Sequence, residues 1–288
     1  TNGENDPHSS SFWERISNFD AIQGYQPDVI DGHHRPGPNN TGPLDEERMR
    51  LVTDLVIDQE DTLVEDVLVH GSITVNASNV HIRNFRIIGG EDDHYGIRVR
   101  EGVDGVLIED GEITNVMTSG IFGPGFTARR LNVHHVGGDA FKTRSGARIE
   151  SCWFHHLGMT KGARAEGNQT RGGAGIIMKW NHCDMPSNHS GRGPGDPFSA
   201  HACAIIQPEL GDISDVLIEG NWFNGGNHTI TISATHSRGH GLSKIQIINN
   251  RFGTDSRYGP IEVYGELDVH FEGNRWHNSG EPLDLLDQ

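Results

Sequence analysis

The chain has 288 residues and a formal net charge of −17, which keeps it soluble and argues against general nucleic-acid binding. No apolar run reaches the roughly eighteen residues of a membrane span. Its three cysteines, Cys152, Cys183 and Cys203, form no Cys-x-x-Cys pair, which argues against a cysteine zinc site.

Thr1 to Ser11 is polar and reads as a loose tail without a visible leader peptide, as in a processed, secreted protein. Phe12 to Ile22 has apolar residues at Phe12, Ile16 and Phe19, which predicts a short capping helix. Gly24 to Gly42 reads as irregular. The expected division is residues 1–45 as tail and cap, and residues 46–288 as one domain with an insertion at 186–201.

A repeat then sets the fold: apolar-x-apolar-x-x-(Asn or apolar)-x-apolar. It starts at Val80, Val106, Phe126, Ala147, Ile176, Val216, Ile245 and Val269. Its opening alternation has period 2, that of a strand. Asn181, Asn221, Asn250 and Asn274 share the sixth position, where stacked amides can bond along a bend. The pattern predicts an all-β, right-handed parallel β-helix, with strands of successive coils about 4.8 Å apart. Leu is too scarce at the template positions for a leucine-rich repeat. Hairpin signals are too irregular for a sandwich.

A second strand precedes most templates. Taking the residue after the first apolar one as outward gives a row of Arg98, Phe122, Lys142, Gln169, Gln207 and Glu262. Lys142 is placed outward because an unpaired ammonium cannot sit in an apolar stack. The doublets His134-His135 and His155-His156 fall at matching places, so His134 should stack on His155 and His135 on His156. They lack an evident carboxylate partner, so no metal site is assigned. Buried free thiols are favoured over a Cys183–Cys203 disulfide across the insertion.

Lys142 to Lys179 is a basic island in an acidic chain. Seven cations (Lys142, Arg144, Arg148, Lys161, Arg164, Arg171, Lys179) face only Glu150 and Glu166. Such a groove suits β-elimination from a uronate polymer. Cationic or amide groups hold the carboxylate as charge grows, a base takes the C5 proton, and an acid protonates the leaving oxygen. Lys142 is the candidate base. Tyr95 or Tyr258 is the candidate acid. The substrate-binding candidates are Arg98, Arg144, His135, His156, Arg164, Gln169, Gln207 and His201.

The segment CWFHHLGMTKGARAEGNQTRGGAGIIMKWNHCDMP, followed by NWFNGGNHTITIS, resembles β-helix alginate lyases of polysaccharide lyase family 31. The matching positions are Asp139 to Lys142, Leu157-Gly158, Gly162-Ala163, Gln169, Asp184 to Pro186 and Asn221 to Gly226. The resemblance implies a polyuronate lyase with a Lys and a Tyr in central roles, and Lys142 matches the first. Arg164-Ala165-Glu166-Gly167 departs from the family's His-Ala-Asp-Gly, which opens the choice of substrate. A C5-epimerase, a glycoside hydrolase using Asp139 and Glu166, and a carbohydrate-binding β-helix without catalysis are the alternatives. A monomer is expected, with an acidic polysaccharide as partner, no membrane or nucleic acid, and no cofactor; calcium is not indicated.

Overall fold

The computed structural model describes residues 25–160, 162–185, 200–234, 238–265 and 267–285. The helix expected over Phe12–Ile22 and residues 186–199 of the insertion lie outside them. The described residues contain no α-helix, and the chain is a parallel β-helix. Nine parallel strands, from Leu55–Ile57 to Gly259–Tyr264, form one sheet, and a second sheet has sixteen strands.

The eight template starts share one inward row of the larger sheet. Ile82 is level with Ile108, Phe126 with Val106, Ala128 with Ile149, and Ile149 with Met178. Beyond these, Ile176 faces Val216, Val216 faces Ile245, and Ile245 faces Val269. Period-2 alternation therefore puts one apolar set on the axis of every coil. Phe85, Phe126, Phe141, Phe154, Phe223 and Phe252 are fully buried there.

The larger sheet bends along a line of left-handed residues. His81–Ile88 and Val106–Thr114 cross the bend unbroken, at Asn84 (φ 46°) and Asp110 (φ 54°). In later coils the strand breaks, as at Arg130 (φ 52°) between Phe126–Arg129 and Asn132–Val136. Asn and Asp tolerate this conformation best among residues with a side chain. Just past the bend, Asn181 donates to Asn221 Oδ1, Asn221 to Asn250 Oδ1, and Asn250 to Asn274 Oδ1, each through its side-chain amide at 2.9 Å. The same oxygens also take the backbone N–H groups, so buried polar atoms at the corner pair with one another. Three coils before Asn181 the equivalent position is Gly111, where a Cβ would stand 2.2 Å from the Phe85 ring. The first coils fill the corner with a ring, and the last four with amides.

The stretch read as irregular turns out to be a strap. Tyr25 Oη donates to Trp276 O, Trp222 Nε1 to Pro27 O, and His182 Nδ1 bonds Pro36 O. Gly42 N then donates to Arg130 O, and the N–H groups of Leu44 and Asp45 to Asn84 Oδ1. Before the first coil begins at Arg50–Val52, the strap has run from the last coil back to the early ones. Cys152, Cys183 and Cys203 are buried free thiols.

Candidate active site

The outward row of the nine-stranded sheet runs Thr74, Arg98, Phe122, Lys142, Gln169, Ile205, Thr231, Glu262. Phe141 is fully buried, so Lys142 points out of the core. Three positions of this row differ from expectation. Gln207 is not on it: the rung after Gln169 is Ile205, and Gln207 lies past the end of Ala200–Ile206, with its N–H on Thr170 O. Three successive apolar residues, Ala204 to Ile206, left the phase there open, and inward Ala204 and Ile206 settle it. Thr74, on the strand Ile73–Val75, and Thr231, on the strand His228–Ser233, are additions to the expected row.

Lys142 Nζ donates to Asp139 Oδ2 and, at 3.1 Å, to Gln169 Oε1. A cavity of about 320 Å3 opens beside it, lined by Tyr95, Thr118, Phe122, Lys142, Thr143, Arg144, Gln169 and Arg171. Tyr95 starts the strand Tyr95–Val99 and stacks on Phe122, with centroids 4.9 Å apart. The Arg98 and Arg144 guanidiniums each lie 5.9 Å from the Phe122 ring centre, a cation–π distance. Thus Tyr95, Arg98, Lys142, Arg144 and Gln169 come together around Phe122. Arg171, two residues past Gln169, joins them and also pairs with Glu209. Arg144 is half-buried, and burial first and Arg171 second lower the pKa of its guanidinium.

Asp139 and Glu166 adjoin this cavity on the Lys142 side. They are 1% and 2% exposed, and the Glu166 N–H donates to Asp139 Oδ1. Burial raises both, Asp139 well above its usual range. His201 Nδ1 lies 3.1 Å from Glu166 Oε1, and Arg164 bonds the His201 ring. Burial brings His201 down to about 4, so its ring is neutral at pH 7.

The other candidates lie elsewhere. Tyr258 is half exposed, with its ring 5.7 Å from that of His228, and it does not line the cavity. His135 and His156 belong to the sixteen-stranded sheet. The stacks form as expected, with His134 5.1 Å from His155 and His135 5.0 Å from His156. A carboxylate partner does exist, because His134 Nε2 lies 2.7 Å from Glu112 Oε1. The basic island likewise divides between faces. Arg148 and Lys179 sit on the sixteen-stranded sheet, paired to Glu150 and Glu219, away from the Lys142 row.

No family model and no curated protein matches the sequence. Among solved structures, the chain is similar to the tailspike protein gp49 of Acinetobacter baumannii bacteriophage Fri1, a capsular polysaccharide depolymerase. That match has 12% identity and a TM-score of 0.41, and covers 81% of this chain and 59% of the tailspike. The catalytic unit of a GH87 α-1,3-glucanase from Streptomyces thermodiastaticus strain HF3-3 aligns at 11% identity and a TM-score of 0.22, over 82% of this chain and 67% of that one.

Proposed function

We propose that the chain cleaves an extracellular polyuronate, with alginate as the leading substrate, by β-elimination. The supporting observation is the shared cavity: Lys142 and Tyr95 line it together, with Gln169, Arg144 and Arg171. Lys142 takes the C5 proton. Charge spreads into the uronate carboxylate, which Arg144 and Arg171 bind. Gln169 Oε1 already accepts from Lys142, so its Nε2 is the donor left for that carboxylate. Tyr95 protonates the leaving oxygen, the C4–O4 bond breaks, and a C4=C5 double bond remains.

Hydrolysis by Asp139 and Glu166 fits the geometry less well. Glycosidase carboxyls flank the scissile bond about 5–9.5 Å apart and open to substrate, whereas these two are almost closed to water, with the Glu166 N–H on the Asp139 carboxyl. An absorbance screen over alginate, its block polymers, glucuronan and pectate tests the proposal. Ultraviolet absorbance from the new double bond supports the lyase. New reducing ends without it mean a hydrolase, C5-proton exchange without cleavage means an epimerase, and none of these leaves a binding module.

A further inference from the structure

Asp139 and Glu166 have no part in the scheme above, yet they are the most deeply buried ionisable groups beside it. The Glu166 N–H donates to Asp139 Oδ1 at 2.8 Å, and Lys142 Nζ donates to Asp139 Oδ2. On its far side Glu166 Oε1 faces His201 Nδ1 at 3.1 Å and Arg164 Nε at 3.6 Å. Arg164 Nη2 donates to His201 Nε2 at 2.5 Å. A guanidinium keeps its protons. Nε2 of the neutral His201 ring is therefore the acceptor, and Nδ1 carries the proton that His201 donates to Glu166.

The His201 N–H and the charge of the Arg164 guanidinium thus hold Glu166 as the carboxylate. Its charge lies against Asp139 in a site almost closed to water, where a second carboxylate is hard to maintain. Burial first, and Glu166 second, give the Asp139 carboxyl an unusually high proton affinity. The charged and titratable groups around the pair are Lys142, Arg164, Arg171 and His201, with Glu262 beyond His201.

We infer that Glu166 is a positioning residue that makes Lys142 a base, by compelling Asp139 to take the ammonium proton. The inference rests on the reading of Lys142 as the base of an elimination. One proton moves from Lys142 Nζ to Asp139 Oδ2, leaving a neutral amine, a neutral Asp139 and an ionised Glu166. The local charge does not change. The amine lone pair then takes the C5 proton. The C–H electrons form the new double bond, and the C4–O4 electrons leave with the oxygen, which Tyr95 protonates. Lys142, now an ammonium, returns a proton to the Tyr95 phenolate across the shared cavity, and no net proton is gained or lost. Arg164 and His201, expected to touch substrate, act here through Glu166.

Glu166→Gln keeps the size and removes the charge, so Asp139 stays ionised and Lys142 stays an ammonium until solvent takes its proton. On alginate, kcat at neutral pH should fall about 100-fold, with KM little changed. The pH–rate optimum should move upward by about one unit or more. Glu166→Asp, which restores the charge, should recover most of kcat and the wild-type optimum. A folded Glu166→Gln protein with wild-type kcat and optimum overturns the inference and leaves Lys142 as base. An active Lys142→Ala protein overturns the base assignment itself. Should Glu166→Gln fail to fold, or alginate not be cleaved, the wild type answers. At neutral pH acetic anhydride should modify Lys142 faster than Lys179, whose side chain is equally exposed, at 22%, and is ion-paired to Glu219. Equal or slower modification of Lys142 overturns it.

Discussion

The Lys142 row and the His134–His155 block are both polar stacks built by the same coil repeat, one on each sheet. They differ in where their bonds end. In the block every bond named turns back into the protein: His134 to Glu112 and His135, and His155 to His156 and Asn132. In the row, Lys142 bonds inward to Asp139, but Tyr95, Arg144, Gln169 and Arg171 open onto a cavity. A stack becomes a candidate site when its donors outnumber the acceptors that the fold supplies, because the surplus is what a ligand can satisfy.

The largest expected difference is at Lys142. Lys142→Ala should lower turnover by about 10²–10⁴-fold and leave the melting temperature near wild type, since Lys142 fills no core space. A variant that unfolds would break the comparison, because the row would then be structural too. Lys142→Arg should not restore turnover, because guanidinium does not give up its proton. Next, Gln169→Ala removes one donor to a charged group, worth about 1.5–3 kcal/mol, so kcat should fall roughly 10–100-fold. Steady-state kinetics on alginate measures both. Arg144→Glu should raise KM about tenfold or more, whereas Arg100→Glu, outside the cavity, should change it little. Equal effects would count against the row as the binding face.

The block should respond in stability alone. His155→Ala strands partners and opens a space beside Trp153, whose ring is 3.8 Å from that of His155. It should cost about 1–3 kcal/mol in denaturant melts, with kcat unchanged. The smallest effect is the pH dependence. Burial first, and His134 second, push His155 down to about 2. A depressed imidazole contributes its full stability above the unfolded value of about 6.5 and loses it as pH falls toward the folded value, by about 1.4 kcal/mol per pH unit at most. Asp139 has the opposite sign, because its raised carboxyl contributes fully below about 3.8 and loses stability as pH rises. Melting curves at pH 6.5 and 5 should show the loss in wild type, and His155→Asn should flatten it. An unchanged slope in His155→Asn would mean that another group carries it.

How much of this was legible depended on periodicity. The template positions, the Asn stack and the Lys142–Gln169 rung follow from equal offsets between alternating segments, so the sequence carries them. The Gln207 position failed because Cys203 to Ile206 is apolar throughout, and alternation, the one signal of phase, is absent. A register shift at Ala165/Glu166 adds to this. The carboxyl pair was visible as two acids at the same 27-residue offset as Lys142 and Gln169, but nothing in the residue types marks both as buried beside each other. The strap was illegible for a different reason. Two of its key contacts use backbone carbonyls, Pro27 O and Pro36 O, as acceptors for side chains 195 and 146 residues away, and a carbonyl leaves no mark on the residue type.

That strap changes what kind of object the molecule is. A stack of coils in which each touches only its neighbours behaves as a one-dimensional chain of units, and such chains melt from their ends. Here Tyr25 reaches Trp276 across 251 positions, and the connecting peptide touches the coils of Trp222, His182, Arg130 and Asn84 on its way. Peeling off the last coil therefore also tears a contact anchored beside the first. The terminal unit inherits the protection of the interior, and the line of nearest-neighbour couplings becomes a loop without a weakest end. Native-state hydrogen exchange should accordingly show the strands Val269–Glu272 and Val106–Thr114 opening together rather than in succession.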